Sequence, residues 1–272
     1  MTGHASFGAY APAEIAARVE AAGVAKARLP ARQMFVLAML AGAFIGFGAA
    51  AFTMTMTGAD PASGPVRVLG GAVFSLGLIL VVVGGAELFT GNVLMVMAAV
   101  DRRISLAELA RAWAIVYAGN LAGAAALAAV FAGTGLLEGP MGTTAKAVAE
   151  AKAALPPGEA FLRGVLCNGL VCLAVWLSFA ARSAAGKILA VLWPITAFVL
   201  LGLEHSVANM YFLPQGWAAG AAVPVTAAAG NLFWVSLGNI AGGAGGVALA
   251  YWFAFRGGTR LAAPAPRSGP KA

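Results

Sequence analysis

Charge is scarce in this sequence. Its 272 residues include 17 Lys and Arg and 10 Asp and Glu, 10% charged in all, where a soluble domain carries about 25%. With 61% apolar residues and a mean hydropathy of +0.88, that scarcity excludes an ordinary cytosolic enzyme, a disordered tail and a fibrous repeat. Cysteine is scarce too. Cys167 and Cys172 stand five apart in an apolar run, which is neither a disulfide framework nor a zinc pattern. Histidine occurs only at positions 4 and 205, too few for a haem pair, and no nucleophile stands with a base. No basic module marks a nucleic-acid binder, so the net charge of +7 needs another explanation. No small-residue cleavage site follows a short apolar core, so the N-terminus reads as lying inside the cell.

Long apolar runs make up most of the chain. About 20 residues of helix cross a bilayer, and six apolar segments are legible, at about 33–57, 66–100, 107–133, 160–181, 187–220 and 229–255. The second and fifth are too long for one simple span and are interrupted, at Gly84-Gly85 and at 202–210. Residues 1–32 form a lead with a short amphipathic helix over 11–29, expected at the membrane surface. Residues 33–255 form the membrane domain, with a polar, weakly helical connection over 134–159. The polar tail from Arg256 has three prolines after Leu261 and reads as disordered. If both termini are cytoplasmic, 13 of the 17 Lys and Arg fall inside and only Arg67, Lys146, Lys152 and Arg163 outside, as the positive-inside rule requires. Trp113, Trp193, Trp217 and Trp252 fall near span ends, as an aromatic belt does.

The chain repeats itself. Gly85-Ala86-Glu87 through Asn92 matches Gly202-Leu203-Glu204 through Asn209 at an offset of 117, and Gly119-Asn120-Leu121-Ala122-Gly123 matches Gly238-Asn239-Ile240-Ala241-Gly242 at 119. Three spans per half reverse the second half, giving an inverted repeat whose interrupted helices meet near the midplane and build a permeation site. Of the ten acids, all but Glu87 and Glu204 read as loop, span-edge or tail residues. Each of these two either ties its broken loop by accepting freed backbone N–H groups or serves function, since a charge at membrane depth is costly unless paired or hydrated. His205 stands at the second break, and an imidazole is the side chain that ordinarily titrates near neutral pH, which points to function. Thr90 is placed to hydrogen-bond it across the repeat axis or to satisfy its own helix carbonyl. Asn168 and Asn239 lie within spans, as interhelical ties or pore-lining amides. Lys152, by composition alone, is a solvated loop charge. Phe74, Leu78, Leu88, Phe89, Val171 and Phe198 are apolar near the breaks, either plain core or rings that exclude hydrated ions.

With these motifs in view the chain resembles the formate/nitrite transporter family. The likeness lies in Gly84 to Gly91, Leu166 to Ala174, Glu204 to Met210 and Leu237 to Ile240, and extends over about 10–255. It implies an all-α, aquaporin-like protomer of six spans assembled as a homopentamer with a pore in each protomer. It also implies passage of small monovalent weak-acid anions, with protons as a possible co-substrate. His205 would pair with Thr90, and Lys152 would belong to the outer vestibule, reversing its bland reading. Asn168 and Asn239 would line the pore. Phe74, Leu78 and Phe198 would form one constriction, and Leu88, Phe89 and Val171 the other. Small residues from Gly119 to Ala129 would suit contact between protomers. Formate is the first substrate and nitrite or hydrosulfide the alternative: Phe89-Thr90-Gly91 and Asn231 to Ser236 lean to the nitrite branch, Val175 to Arg182 to the formate branch. Neither cofactor nor metal is expected, and the location is a prokaryotic inner membrane. An aquaporin-type neutral pore is disfavoured because paired Asn-Pro-Ala motifs are lacking.

Overall fold

The structure, a computed structural model, describes residues 8–256; the tail expected from Arg256 onward otherwise lies outside the described residues. The elements are α1 (Pro12–Ala27), α2 (Ala31–Met56), α3 (Gly64–Gly84), α4 (Phe89–Asn92), α5 (Val96–Val100), α6 (Leu106–Ala132), α7 (Pro140–Ala153), α8 (Pro157–Ala180), α9 (Ala184–Leu200), α10 (Ser206–Ala218), α11 (Val225–Ile240) and α12 (Ala250–Phe255). A glycine-rich π-helical stretch, Ala241–Leu249, joins the last two. Five helices, Ala31–Met56, Gly64–Gly84, Leu106–Ala132, Pro157–Ala180 and Val225–Phe255, are long and apolar enough to cross a membrane. Phe89–Val100 and Ala184–Leu200 are apolar but shorter.

The two interruptions fall where glycine enters the left-handed region. Helix stops at Gly84, with Gly85 at φ +82°, and resumes at Phe89; it stops at Leu200, with Gly202 at φ +67°, and resumes at Ser206. A side chain at either glycine would strain the turn.

Small residues draw the helices together in duplicate. A Cβ on Gly119 or Gly123 of α6 would run into the backbone of Phe35 and Met39 on α2. One on Gly238 or Gly242 would run into Phe161 and Val165 on α8. The stripe expected to face a neighbouring protomer is therefore occupied at Gly119 and Gly123 by the chain's own α2. Helix α10 packs on α6, while α4 packs on α8, so the halves interlock.

The amphipathic helix forms as α1, and its buried face (Ile15, Ala16, Val19, Glu20, Gly23, Val24, Ala27) meets protein. Glu20 is wholly buried and paired with Arg103 at 3.0 Å and Arg256 at 2.7 Å. The two ends of the described chain thus lie at one end of the bundle. The connection over 134–159 is more ordered than its composition indicates: α7 buries Met141, Ala145 and Ala149 and packs on α10.

Candidate functional site

Breaking a helix in an apolar environment strands backbone groups that water cannot reach. Two asparagines satisfy them. Asn120 on α6 accepts from Phe89 N (2.9 Å) and donates to Glu87 O (2.9 Å) and Ala38 O (2.8 Å). Asn239 on α11 accepts from Ser206 N (2.9 Å) and donates to Glu204 O (3.0 Å) and Gly164 O (2.9 Å). Each amide also ties its break to the helix before the interrupted one, α2 through Ala38 O and α8 through Gly164 O. Every amide atom of Asn239 therefore already has a partner. Asn168 donates to Asn239 O (2.6 Å) and Thr90 O (3.2 Å), while its Oδ1 is buried without a partner among the described residues.

The glutamates are held by side chains rather than by the freed N–H groups. Lys152 Nζ lies 2.8 Å from Glu204 Oε1, with the side chains only 15% and 5% exposed, and Asn209 Nδ2 donates to Glu204 Oε2 at 2.7 Å. Lys152 comes from α7, so its ammonium is a packed group, also 5.2 Å from the Phe212 ring centre. The first break repeats this with residues that sequence reasoning did not single out. Lys26 of α1 reaches Glu87 at 2.8 Å and Asn92 Oδ1 at 2.9 Å, while Asn92 Nδ2 donates to Glu87 Oε2 at 2.7 Å. The signal was available only in part: Asn92 and Asn120 stand in the repeated motifs, but nothing in the composition of α1 marks it as the counterpart of α7.

Each pair opens on a cavity. Lys26, Glu87, Leu78, Leu88, Gly91 and Lys187 are among the residues lining one of about 430 Å³. Lys152, Glu204, His205, Phe74, Phe198 and Arg67 are among those lining another of about 580 Å³. No residue lines both. Phe74 and Leu78, one turn apart on α3, therefore serve opposite cavities, which separates Leu78 from the Phe74–Phe198 group expected for it. Phe74 meets Phe198 edge-on at 5.4 Å, and Phe198 stacks on His205 at 5.9 Å. Phe89 and Val171 are buried and line neither cavity; Phe89 packs edge-on against Tyr117 at 5.0 Å.

His205 is on the wall of the Lys152 cavity, and Thr90, next to Gly91 on the wall of the other, lines neither. His205 caps α10, its Nδ1 accepting from Ala208 N at 3.0 Å, and its Nε2 lies 2.8 Å from Thr90 Oγ1. A neutral ring with Nδ1 as acceptor carries its hydrogen on Nε2. It then donates to Thr90 Oγ1, which leaves the Thr90 hydroxyl hydrogen for another acceptor. Among the described residues no group of three or more His, Cys, Asp or Glu side chains could hold a metal ion.

A duplicated pair of broken helices around one buried histidine finds its match among known proteins. A family model described as formate/nitrite transporter matches residues 13–253. The chain belongs to the formate/nitrite transporter family. It is 43% identical over 248 residues to an uncharacterized transporter, YrhG, of Bacillus subtilis, covering 90% of this chain and 93% of that protein. Identity to formate channel FocA of Escherichia coli is 37% over 264 residues, 89% and 93% of the two chains. To nitrite transporter NirC of Escherichia coli it is 36% over 227 residues, 81% and 82%. Among solved structures, a pentameric formate channel with formate bound superposes with a TM-score of 0.76 at 38% identity, covering 83% of this chain and 97% of that one. An FNT family ion channel reaches 0.83 at 31% identity, over 89% and 98%. These proteins are channels and transporters, not enzymes, and this chain is a multi-pass membrane transport protein of their kind.

Proposed function

We propose that the protein is a channel for small monovalent anions of weak acids, formate first, in which proton transfer to the anion runs through His205. Six spans form an inverted repeat with α3–α5 and α9–α10 as the interrupted ones. Five such protomers assemble, each with its own pore, in a prokaryotic inner membrane. The excess of Lys and Arg at the α1 end turns that end to the cytoplasm, with Lys152 outermost.

The observation that carries this reading is the contact of His205, on the wall of the Lys152 cavity, with Thr90, beside Gly91 of the Lys26 cavity, each cavity presenting a lysine paired with a glutamate. An anion that has entered a cavity is held beside the ammonium of its lysine. It cannot cross the buried layer of Phe74, Leu78, Val171 and Phe198 bare, because removing a carboxylate from water costs many kcal/mol while the neutral acid passes cheaply. Thr90 offers the anion its hydroxyl hydrogen. A proton taken on His205 Nδ1, which releases Ala208 N–H, lets Nε2–H pass to Thr90 Oγ1 as the Thr90 proton passes to the anion. The neutral acid then leaves, and one proton has moved with one anion; His205 is again uncharged with its hydrogen on Nδ1, and return of that hydrogen to Nε2 restores the cap to Ala208 N and completes the cycle. The unpartnered Asn168 Oδ1 is an acceptor beside Thr90 for the O–H of that acid.

Nitrite has the same charge and nearly the same bent arrangement of three heavy atoms, and likeness to a nitrite transporter at 36% identity makes it the second reading. Purified protein in liposomes, offered formate, nitrite, hydrosulfide and glycerol with internal pH recorded, tests both. Formate flux with internal acidification supports the reading, flux of nitrite alone selects the second, and flux of glycerol alone overturns both.

A further inference from the structure

Besides the two lysine–glutamate pairs, each cavity wall contains at least one cation that neither pair accounts for. In the Lys152 cavity these are Arg67 and Arg163. Arg163 is held by Glu159, one turn away on α8, at 2.8 Å. Arg67 is half-buried and has no carboxylate within ion-pair distance among the described residues; its guanidinium lies against Gly202, at the entry to the second break. In the Lys26 cavity the corresponding cation is Lys187, also half-buried and also without a carboxylate partner among the described residues.

The two are placed alike. Each is the fourth residue of the helix that leads into a break, α3 or α9, behind a serine at the N-cap, and each backbone N–H closes the first turn on that serine's carbonyl (Arg67 N to Ser63 O, 3.0 Å; Lys187 N to Ser183 O, 3.1 Å). The first turn of each helix thus sets a cation on a cavity wall, one at either end of the bundle. A positive charge with no fixed counter-ion, at the rim of a low-dielectric cleft, concentrates anions locally and is screened by salt. The lysine of each Lys–Glu pair is already neutralised and attracts less at a distance.

We propose that Arg67 and Lys187 are anion-collecting residues of the two mouths, which raise the anion concentration ahead of the Lys152–Glu204 and Lys26–Glu87 pairs. This rests on the channel reading above. The competing role for Arg67 is to hold the end of α9 and the turn at Gly202, with no part in transport.

The test is concentration-dependent formate and nitrite uptake into liposomes by Arg67→Gln, Arg67→Lys and wild type. Wild-type transport is established first, and ionic strength is then raised from about 0.01 M to 1 M, over which the Debye length falls from about 30 Å to about 3 Å. At low salt Arg67→Gln should raise the half-saturating concentration severalfold with an unchanged maximal rate, the difference should vanish at high salt, and Arg67→Lys should restore wild-type behaviour. Lys187→Gln should do the same only for flux entering from the α1 end. A loss of maximal rate or thermal stability at every ionic strength, with half-saturation unmoved, would make Arg67 a fold residue and overturn the proposal. So would Arg67→Gln behaving as wild type. A wild type that carries none of the small anions overturns the channel reading itself.

Discussion

Thr90 and His205 touch at 2.8 Å although they lie 115 positions apart, Thr90 as the second residue of α4 and His205 as the N-cap of α10. The contact is asymmetric. The repeat counterpart of Thr90 is Val207 and that of His205 is Leu88, so the duplicated frame surrounds a single polar pair. His205 has two bonds to keep, one as the cap of α10 and one to Thr90.

Asparagine can keep both, because its carbonyl oxygen caps a helix well and its NH2 group can reach Thr90. His205→Asn should therefore fold and assemble with stability within about 1 kcal/mol of wild type but hold no proton near neutral pH. Wild-type uptake should rise as external pH falls, and the variant should lose proton coupling, either blocking or passing anion passively. Simultaneous flux and internal-pH recording checks this. An unchanged proton stoichiometry in an intact variant would leave His205 as a hydrogen-bond donor only.

The clamps should behave as structure. Asn120→Ala and Asn239→Ala each strand a buried backbone N–H and the carbonyls the amide had bonded, and each unsatisfied buried group costs about 1–3 kcal/mol. Both variants should lower the unfolding temperature in detergent clearly and by similar amounts, because the two amides make matching sets of bonds. A stable Asn239→Ala would show that water or a backbone shift can replace the clamp.

Lys152 has two effects that can be separated. Lys152→Ala removes a vestibule charge and also leaves Glu204 buried and unpaired, a situation that costs about 3–5 kcal/mol. The single variant should lose stability as well as uptake at low anion concentration. Adding Glu204→Gln should restore stability while the low-concentration defect remains. If stability and uptake recover together, the lysine acts only by holding the glutamate.

Close backbone packing should tolerate no methyl group. Gly242→Ala would set its Cβ against the carbonyl of Val165, and Gly123→Ala against that of Met39. Both should reduce the yield of folded protein, as overpacking costs about 1–3 kcal/mol or more. Gly245→Ala, which meets nothing within 4 Å, is the control. The native mass of the correctly folded protein should be that of a homopentamer, and a stable monomer or trimer as the sole species would refute that assembly.

Much of this protein is determined by sequence alone. Membrane class follows from the ratio of apolar to charged residues, and span positions follow from run length, because both are local sums over neighbouring residues. The breaks are legible because a glutamate beside glycine interrupts runs that otherwise exclude acids, and His205 because it stands alone. Tertiary structure decided the rest. Lys26 and Glu87 are 61 residues apart and Asn120 and Ala38 are 82 apart, and no periodicity encodes which distant carbonyl an amide will meet. The pairing of α1 with α7 escaped sequence comparison because Lys26 and Lys152 are 126 apart while the break motifs are 117 apart, the connecting segments differing in length. Even the split of Phe74 from Leu78 between two cavities is a matter of packing: both are apolar and one turn apart, and only the helices around α3 determine which cavity each of them faces.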